Sequence, residues 1–375
     1  MSGNLSPLHE LGRLGQSVWI DNISRELIAS GDLGKLIDLG VTGLTSNPSI
    51  FEKAVSGSTD YDESMLRFVN DGMDTEQVFE ALAIEDIRSA ADLLMPIYDR
   101  TDGADGYASL EVNPHLAADT DGTVSEGLRI FETLSRPNIM IKVPATPEGM
   151  PAIASLLEAG VNVNATLIFS LDAYNLVSDA YIDGLEARRR AGGGVNRVAS
   201  VASFFVSRVD SAVDGLIDGR VGEGRADLAN LKGKAAIANA KLAYQAFKGT
   251  FGGDRFTELR SAGAMVQRPL WASTSTKDPS YSDVMYIESL IGRDTVNTLP
   301  DATLDAFVDH GAASETLDRD ADAARDAVES LEAAGISMDA VTSKLLADGV
   351  KAFANAYDQL VANIDVKRQR LIAAD

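Results

Sequence analysis

A chain of 375 residues with 45% hydrophobic residues and a mean hydropathy of −0.02 has enough apolar surface to bury a sizeable core beneath a polar exterior. Its net charge of −23 and isoelectric point near 4.5 repel nucleic acid and anionic membranes, so neither is expected as a partner. Cysteine is absent, which excludes disulfides, thiolate nucleophiles and zinc–thiolate centres.

No apolar run approaches the ~18–20 residues of a membrane span. The start, "MSGNLSPLHELGRLGQ", lacks the basic-then-apolar pattern of a secretory signal. A cytoplasmic enzyme is expected. A phosphorylated substrate would be repelled at long range, so any phosphate site needs its own local cations and backbone donors.

In chain order, strands are expected at 17–23 (SVWIDNI), 41–47 (VTGLTSN), 107–112 (YASLEV) and 139–145 (IMIKVPA). Four more are expected at 161–169 (VNVNATLIF), 198–205 (VASVASFF), 264–273 (AMVQRPLWAS) and 283–291 (DVMYIESLI). Each is short, rich in β-branched or aromatic residues, and bounded by Gly, Pro, Asn or Asp. Helical patterns lie between them at 75–99, 146–160 and 234–251, the second opening on a Thr cap and closing on Gly. Eight strands alternating with helices predict an α/β fold, a (β/α)8 barrel of the TIM type. An open doubly wound sheet is the alternative, but "WIDNISREL" holds no glycine-rich phosphate turn after the first strand.

Residues 1–375 are read as one barrel domain with a helical insertion at about 50–106 and a helical tail at about 311–375. In the tail, Val350, Phe353, Ala354, Tyr357, Leu360, Val361 and Ile364 share one helical stripe, so the last helix is expected to pack on the barrel as structure. The segment 318–334 reads as a solvated acidic helix face.

The strands also carry polar residues that a buried sheet does not favour. They are Asp21, Asn47, Glu111, Lys142, then Asn162, Asn164 and Thr166, then Ser203 with Arg208 just beyond it, and Ser273. Each alone has a structural explanation: a turn cap, a loop former before proline, a lysine paired with a carboxylate. Together, at the strand ends where barrels of this kind place their active sites, one shared wet pocket satisfies them most cheaply.

Subtraction narrows the chemistry. The three histidines have no metal-ligand spacing, and no HExxH, phosphate-binding Walker loop or GxSxG elbow is present. An amine, two carboxylates, a threonine and amides are left. Lys142, inside the apolar run "NIMIKVPAT" (138–146), is the candidate nucleophile: a neutral lysine attacks a carbonyl to form a Schiff base, which draws electrons from a neighbouring C–C bond. Asp21 and Glu111 can divide the proton transfers, with Thr166 holding a water between Glu111 and the nitrogen.

These residues resemble a known family. "VTGLTSNPSIFEKA" (41–54), "NIMIKVPAT" (138–146) and "NVNATLIFS" (162–170) are similar to segments of the transaldolases, and "WIDNISREL", "SLEVNPHLA" and "SVASFFVSRVD" fall in the family's order. The resemblance implies that Lys142 forms the Schiff base, Asp21 is the acid/base at the breaking C–C bond, and Glu111 and Thr166 form a water-mediated proton relay. It also implies that Asn47, Asn164 and Ser203 bind the dihydroxyacetone part, with Arg208 meeting the phosphate beside Phe205. The implied reaction moves a dihydroxyacetone unit from sedoheptulose 7-phosphate to glyceraldehyde 3-phosphate, giving erythrose 4-phosphate and fructose 6-phosphate. This belongs to the non-oxidative pentose phosphate pathway, and no metal or organic cofactor is implied. The expected partners are small sugar phosphates, and a homo-oligomer is compatible with the sequence.

One segment departs from the family's pattern. Short-chain members carry a Ser-x-Arg pair after the seventh strand, whereas "WASTSTKDPSYSD" (271–283) has Ser273 and then Ser275 at the arginine's place. Lys277 is the nearest cation and is expected to stand in for it, as a point charge without the bidentate fork. Related fructose 6-phosphate aldolases are shorter and carry tyrosine where Glu111 stands. Such an aldolase is therefore the second reading, and a barrel that binds sugar phosphates without turnover is the third.

Overall fold

A computed structural model of the protein describes residues 6–374. Residues 1–5, which belong to the start quoted above, and residue 375 lie outside the described residues. Eight parallel strands close into a barrel in sequence order: β1 (Gln16–Ile20), β2 (Val41–Thr45), β3 (Ala108–Glu111), β4 (Ile139–Pro144), β5 (Asn162–Ile168), β6 (Ser200–Phe205), β7 (Arg268–Ala272) and β8 (Thr295–Leu299). Burial on both faces accounts for the near-continuous apolar runs.

The expected eighth strand is a correction. Residues 283–291 contain the short helix Met285–Ser289, and β8 is Thr295–Leu299. A continuous apolar run of this length is ambiguous between a strand and a buried helix segment. The run buries Val284, Tyr286, Ile287, Leu290 and Ile291 with helical spacing. "TVNTL", by contrast, is fully buried despite its polar residues. Thr295 Oγ1 donates to the Gly292 carbonyl at 2.5 Å and accepts from Gln16 Nε2 at 3.0 Å, and Thr298 Oγ1 donates to the Trp271 carbonyl at 3.2 Å.

The end of the barrel where the strands begin is cross-linked by amides. Asn162 Nδ2 donates to the carbonyls of Pro137 and Ile139 at 2.8 and 2.9 Å, and its Oδ1 accepts from the Ala199 N–H. Asn162 is thus a strut of the barrel floor. Trp19 pairs with Gly43 across β1 and β2, and a Cβ at Gly43 would come within 2.6 Å of the indole. The indole Nε1 donates to Asp105 at 2.8 Å. The glycine in "VTGLT" leaves room for that ring.

Two non-glycine residues with left-handed backbone lie at the opposite end. Leu167 has φ +60° where the β5–β6 register shifts, and Ser273 has φ +56° just after β7. Such strain persists only where the surroundings over-determine it, and it concentrates at functional sites. Leu167 follows the candidate Thr166, and Ser273 is itself a candidate.

Between β2 and β3 run three helices, Pro48–Gly57, Asp62–Asn70 and Thr75–Arg100; after β8 come Asp301–His310, Ala321–Ala333 and Met338–Ala374. The last of these lies along Pro48–Gly57. It buries Phe353, Tyr357, Leu360 and Ile364 of the expected stripe. Asn363 Nδ2 donates to Glu52 at 2.7 Å. The Lys367 ammonium, 9% exposed, donates to the Val55 carbonyl at 3.0 Å and to the Ser58 carbonyl, and pairs with Asp62 at 2.7 Å. A cation at a helix C-terminus satisfies carbonyls left without helical donors.

Lys367→Ala strips those acceptors of their partner, at a cost of about 2 kcal/mol. Calorimetry is expected to show a melting temperature lower by a few degrees; an unchanged one would mean that the helix docks without this pin.

Candidate active site

The strand C-termini surround a cavity of about 150 Å³. Asp21, Asn47, Lys142, Thr166, Ser203, Phe205, Arg208, Ser273 and Lys277 all line it. Residues scattered over 257 positions of sequence, from Asp21 to Lys277, thus converge on one space. A wider groove of about 860 Å³ runs outside the barrel past Glu76, Glu80 and Arg129. It is open to solvent, and no lysine is among the described residues that line it. Convergence of side chains, not volume, identifies the site.

Lys142 points its amine into the cavity from β4, with the side chain 7% exposed. Its Nζ donates to the Ser46 carbonyl at 2.8 Å, and Glu111 Oε2 lies 3.8 Å away. Register explains the second contact: Glu111 on β3 and Asn164 on β5 are the partners of Lys142 on either side. Ser46 is held in turn, its hydroxyl donating to the Ser109 carbonyl at 2.7 Å. A backbone acceptor and a carboxylate are thus the polar neighbours of the buried amine.

Glu111 does not line the main cavity. It stands behind Lys142 on a small cavity of about 20 Å³ that it shares with Ser46 and Asn47, with its side chain 3% exposed. Burial pushes its carboxyl up to about 7; the Lys142 ammonium opposes this shift, while Asp21 adds to it. Neither of its oxygens, nor Thr166 Oγ1, has a hydrogen-bond partner among the described residues. A space of this size holds about one water.

Asp21 follows β1 and accepts from Thr45 Oγ1 at 2.8 Å. Asn47 caps the helix Pro48–Gly57, its Oδ1 accepting from Ile50 N–H at 3.1 Å, and still lines the cavity. Asn164 does not line it. Fully buried below, it donates to Ser109 Oγ at 3.2 Å and accepts from Ser203 Oγ at 2.6 Å.

Arg208, in the first turn of the helix Ser207–Gly222, lies over the Phe205 ring with its guanidinium carbon 5.1 Å from the centroid. Burial draws its pKa below the usual arginine value, partly offset by Asp21. Among the described residues it makes neither an ion pair nor a hydrogen bond. Ser273 Oγ sits 2.9 Å from Ser207 Oγ, and Lys277 Nζ donates to Ser275 Oγ at 2.6 Å. Two cations without carboxylate partners among the described residues, in so acidic a protein, suit an anionic group.

Several lining residues carried no signal in the sequence. Ser46 acts through its carbonyl, which no side-chain pattern reveals. Thr298 and Pro300 line the cavity from the end of β8, which the sequence reading misplaced. Phe353, read as packing, comes from the tail helix, with its ring centroid 5.9 Å from Lys142 Nζ.

The raised Glu111 value has a consequence for stability. Its folded-state value near 7 lies above the ordinary 4.5, so the stability present at low pH falls as pH rises through about 7. Glu111→Gln mimics the neutral acid. It should be near neutral at pH 4 and stabilising by about 2–3 kcal/mol at pH 8. Urea denaturation giving the same difference at both pH values would contradict this.

A family model described as transaldolase/fructose-6-phosphate aldolase matches residues 18–364. A transaldolase of Thiobacillus denitrificans is 48% identical over 95% of this chain and 98% of its own length. Transaldolases of Trichodesmium erythraeum and Thermobifida fusca are 44% and 45% identical, over 97% and 96% of this chain and 98% and 97% of theirs. The chain belongs to the transaldolase/fructose-6-phosphate aldolase family.

Proposed function

We propose that the protein transfers a dihydroxyacetone unit between sugar phosphates through a Schiff base on Lys142. The observation that carries this reading is a buried lysine, held by the Ser46 carbonyl beside Glu111, at one wall of a cavity that also receives Arg208 and Lys277.

The Lys142 ammonium first passes a proton to Glu111, and the neutral amine so formed adds to the C2 carbonyl of a ketose phosphate, giving a carbinolamine. Proton transfer and loss of water convert it to an iminium ion. Glu111, near 7 by burial, is suited to accept and return protons at neutral pH, with Thr166 and a bridging water completing the path to the nitrogen. The Asp21 carboxylate takes the C4 hydroxyl proton as the C3–C4 bond breaks. The electron pair of that bond passes to the iminium, forming an enamine, and an aldose phosphate leaves. The enamine carbon then attacks the acceptor aldehyde, whose oxygen takes the proton back from Asp21. Hydrolysis of the new iminium frees the product ketose.

Asn47 and Ser203 are assigned to the hydroxyls of the three-carbon unit, with Asn164 orienting Ser203. Arg208 and Lys277 are assigned to the phosphate, with Ser273 beside them and Phe205 supporting the guanidinium. The donor is sedoheptulose 7-phosphate and the acceptor glyceraldehyde 3-phosphate. The site needs no metal or organic cofactor in this scheme. We read residues 1–375 as one domain and its place as the cytoplasm.

Glu111 and the transaldolase relatives favour transfer over simple aldol cleavage. Phe353 beside Lys142 supports the same choice, since an enamine awaiting its acceptor must be kept from protonation and release.

Turnover of the ketose should depend on added acceptor aldehyde. Asp21→Ala should still form the Schiff base but lose at least about 100-fold in kcat, the scale of a missing general base. Acceptor-independent release of dihydroxyacetone would make the protein an aldolase, and normal cleavage in the variant would remove Asp21 from its role.

A further inference from the structure

The helix Ser207–Gly222 carries, one turn apart, two buried carboxylates that the mechanism does not use. Asp210 is 1% exposed and Asp214 is 8% exposed. Each takes one backbone N–H and one tyrosine hydroxyl. Asp210 accepts from Ala236 N–H at 2.7 Å and from the Tyr286 hydroxyl at 2.8 Å. Asp214 accepts from Gly233 N–H at 3.0 Å and from the Tyr281 hydroxyl at 2.7 Å. Hydrogen bonds to a carboxylate are roughly twice as strong as neutral ones.

Both tyrosines belong to the connection between β7 and β8 that carries Ser275 and Lys277. Before those residues, the connection is fixed by Ser273, whose carbonyl accepts from Ser207 N–H at 2.9 Å, and by Thr274 Oγ1 donating to the Thr298 carbonyl at 2.9 Å. Beyond them, the next long-range anchor is Tyr281. Between, the described side-chain bonds are local: Lys277 to Ser275 at 2.6 Å, and Ser280 Oγ to Asp278 at 2.7 Å. The Tyr281 ring lies against the turn at Gly233, where φ is +68° and a Cβ would come within 2.9 Å of the ring.

We propose that Tyr281, gripped by Asp214, is a positioning residue for the phosphate end of the cavity, with Tyr286 on Asp210 as the second clamp. The inference rests on the assignment of the phosphate to Arg208 and Lys277. Its physical reason is the lysine. A guanidinium fork fixes an anion by two parallel bonds, whereas an ammonium on a flexible stem fixes only a distance. Where lysine does this work, the backbone that carries it must be held. The two clamps refer that backbone to the same helix that presents Arg208, so both cations keep one spacing.

The test compares glyceraldehyde 3-phosphate with unphosphorylated glyceraldehyde as acceptor, in Tyr281→Phe, Lys277→Ala and the double variant. Tyr281→Phe is expected to raise KM for the phosphorylated acceptor about three- to tenfold. Its kcat, and its kcat/KM for the unphosphorylated acceptor, should stay within about twofold. In the Lys277→Ala background the change should vanish, because the tyrosine acts through that lysine. Equal losses on both acceptors, or a loss that persists without Lys277, would make Tyr281 a merely structural residue and overturn the proposal. If Lys277→Ala alone leaves KM for the phosphorylated acceptor unchanged, the phosphate assignment of Lys277 falls and the positioning role with it. If Tyr281→Phe does not fold, Asp214→Asn, which keeps the shape of the carboxylate, takes its place with the same expectations.

Discussion

Everything at the barrel mouth depends on keeping one amine, that of Lys142, out of bulk water without leaving it unpaired. An isolated ammonium in such a place costs several kcal/mol. The Ser46 carbonyl and Glu111 offset that cost, and both require long-range order. Ser46 lies at the junction of β2 with the helix Pro48–Gly57, which the tail helix holds from outside. Glu111 reaches the amine only because β3 and β4 pair in a register that sets the two residues side by side. Burial of Glu111 beside the amine raises its carboxyl to about 7, the range that the proposed proton transfer at the nitrogen needs.

The protein's charge poses the opposite problem at the other end of the cavity. A net charge of −23 disfavours sugar phosphates at a distance, so affinity must be built locally. Arg208 answers with a half-buried guanidinium that stacks on Phe205 and has no carboxylate partner among the described residues. Lys277 adds a second cation on a connection tied back to the helix that carries Arg208. In the proposed function, phosphate binding and carbonyl chemistry are therefore served by different elements of one barrel.

Much of this was legible in the sequence, and the limits are physical. Strands β1 to β7 showed as short β-branched runs between turn residues, and the polar residues at their ends marked the mouth. The eighth strand did not show, because "VMYIESLI" looks more like a strand than "TVNTL", whose Thr side chains are satisfied only by the closed barrel. Thr298 and Pro300 were missed with it. The stripe on the tail helix told which face is buried but not what covers it, so Phe353 was read as packing. Asn164, which the resemblance assigns to the three-carbon unit, sits below the cavity wall, since spacing along a strand does not reveal that Ser109 and Ser203 take both ends of its amide. Tertiary pairs such as Tyr281 with Asp214 leave no local pattern at all.

The central claim is a covalent bond between Lys142 and a three-carbon fragment. Its most direct test is borohydride reduction of the protein with fructose 6-phosphate, followed by peptide mass mapping, with Lys142→Ala as the control. The account predicts a dihydroxyacetone-derived adduct on Lys142, since cleavage must precede trapping of that fragment, and none in the variant. A six-carbon adduct alone would contradict cleavage, and an adduct on another lysine, or none, would contradict the assignment of Lys142 itself.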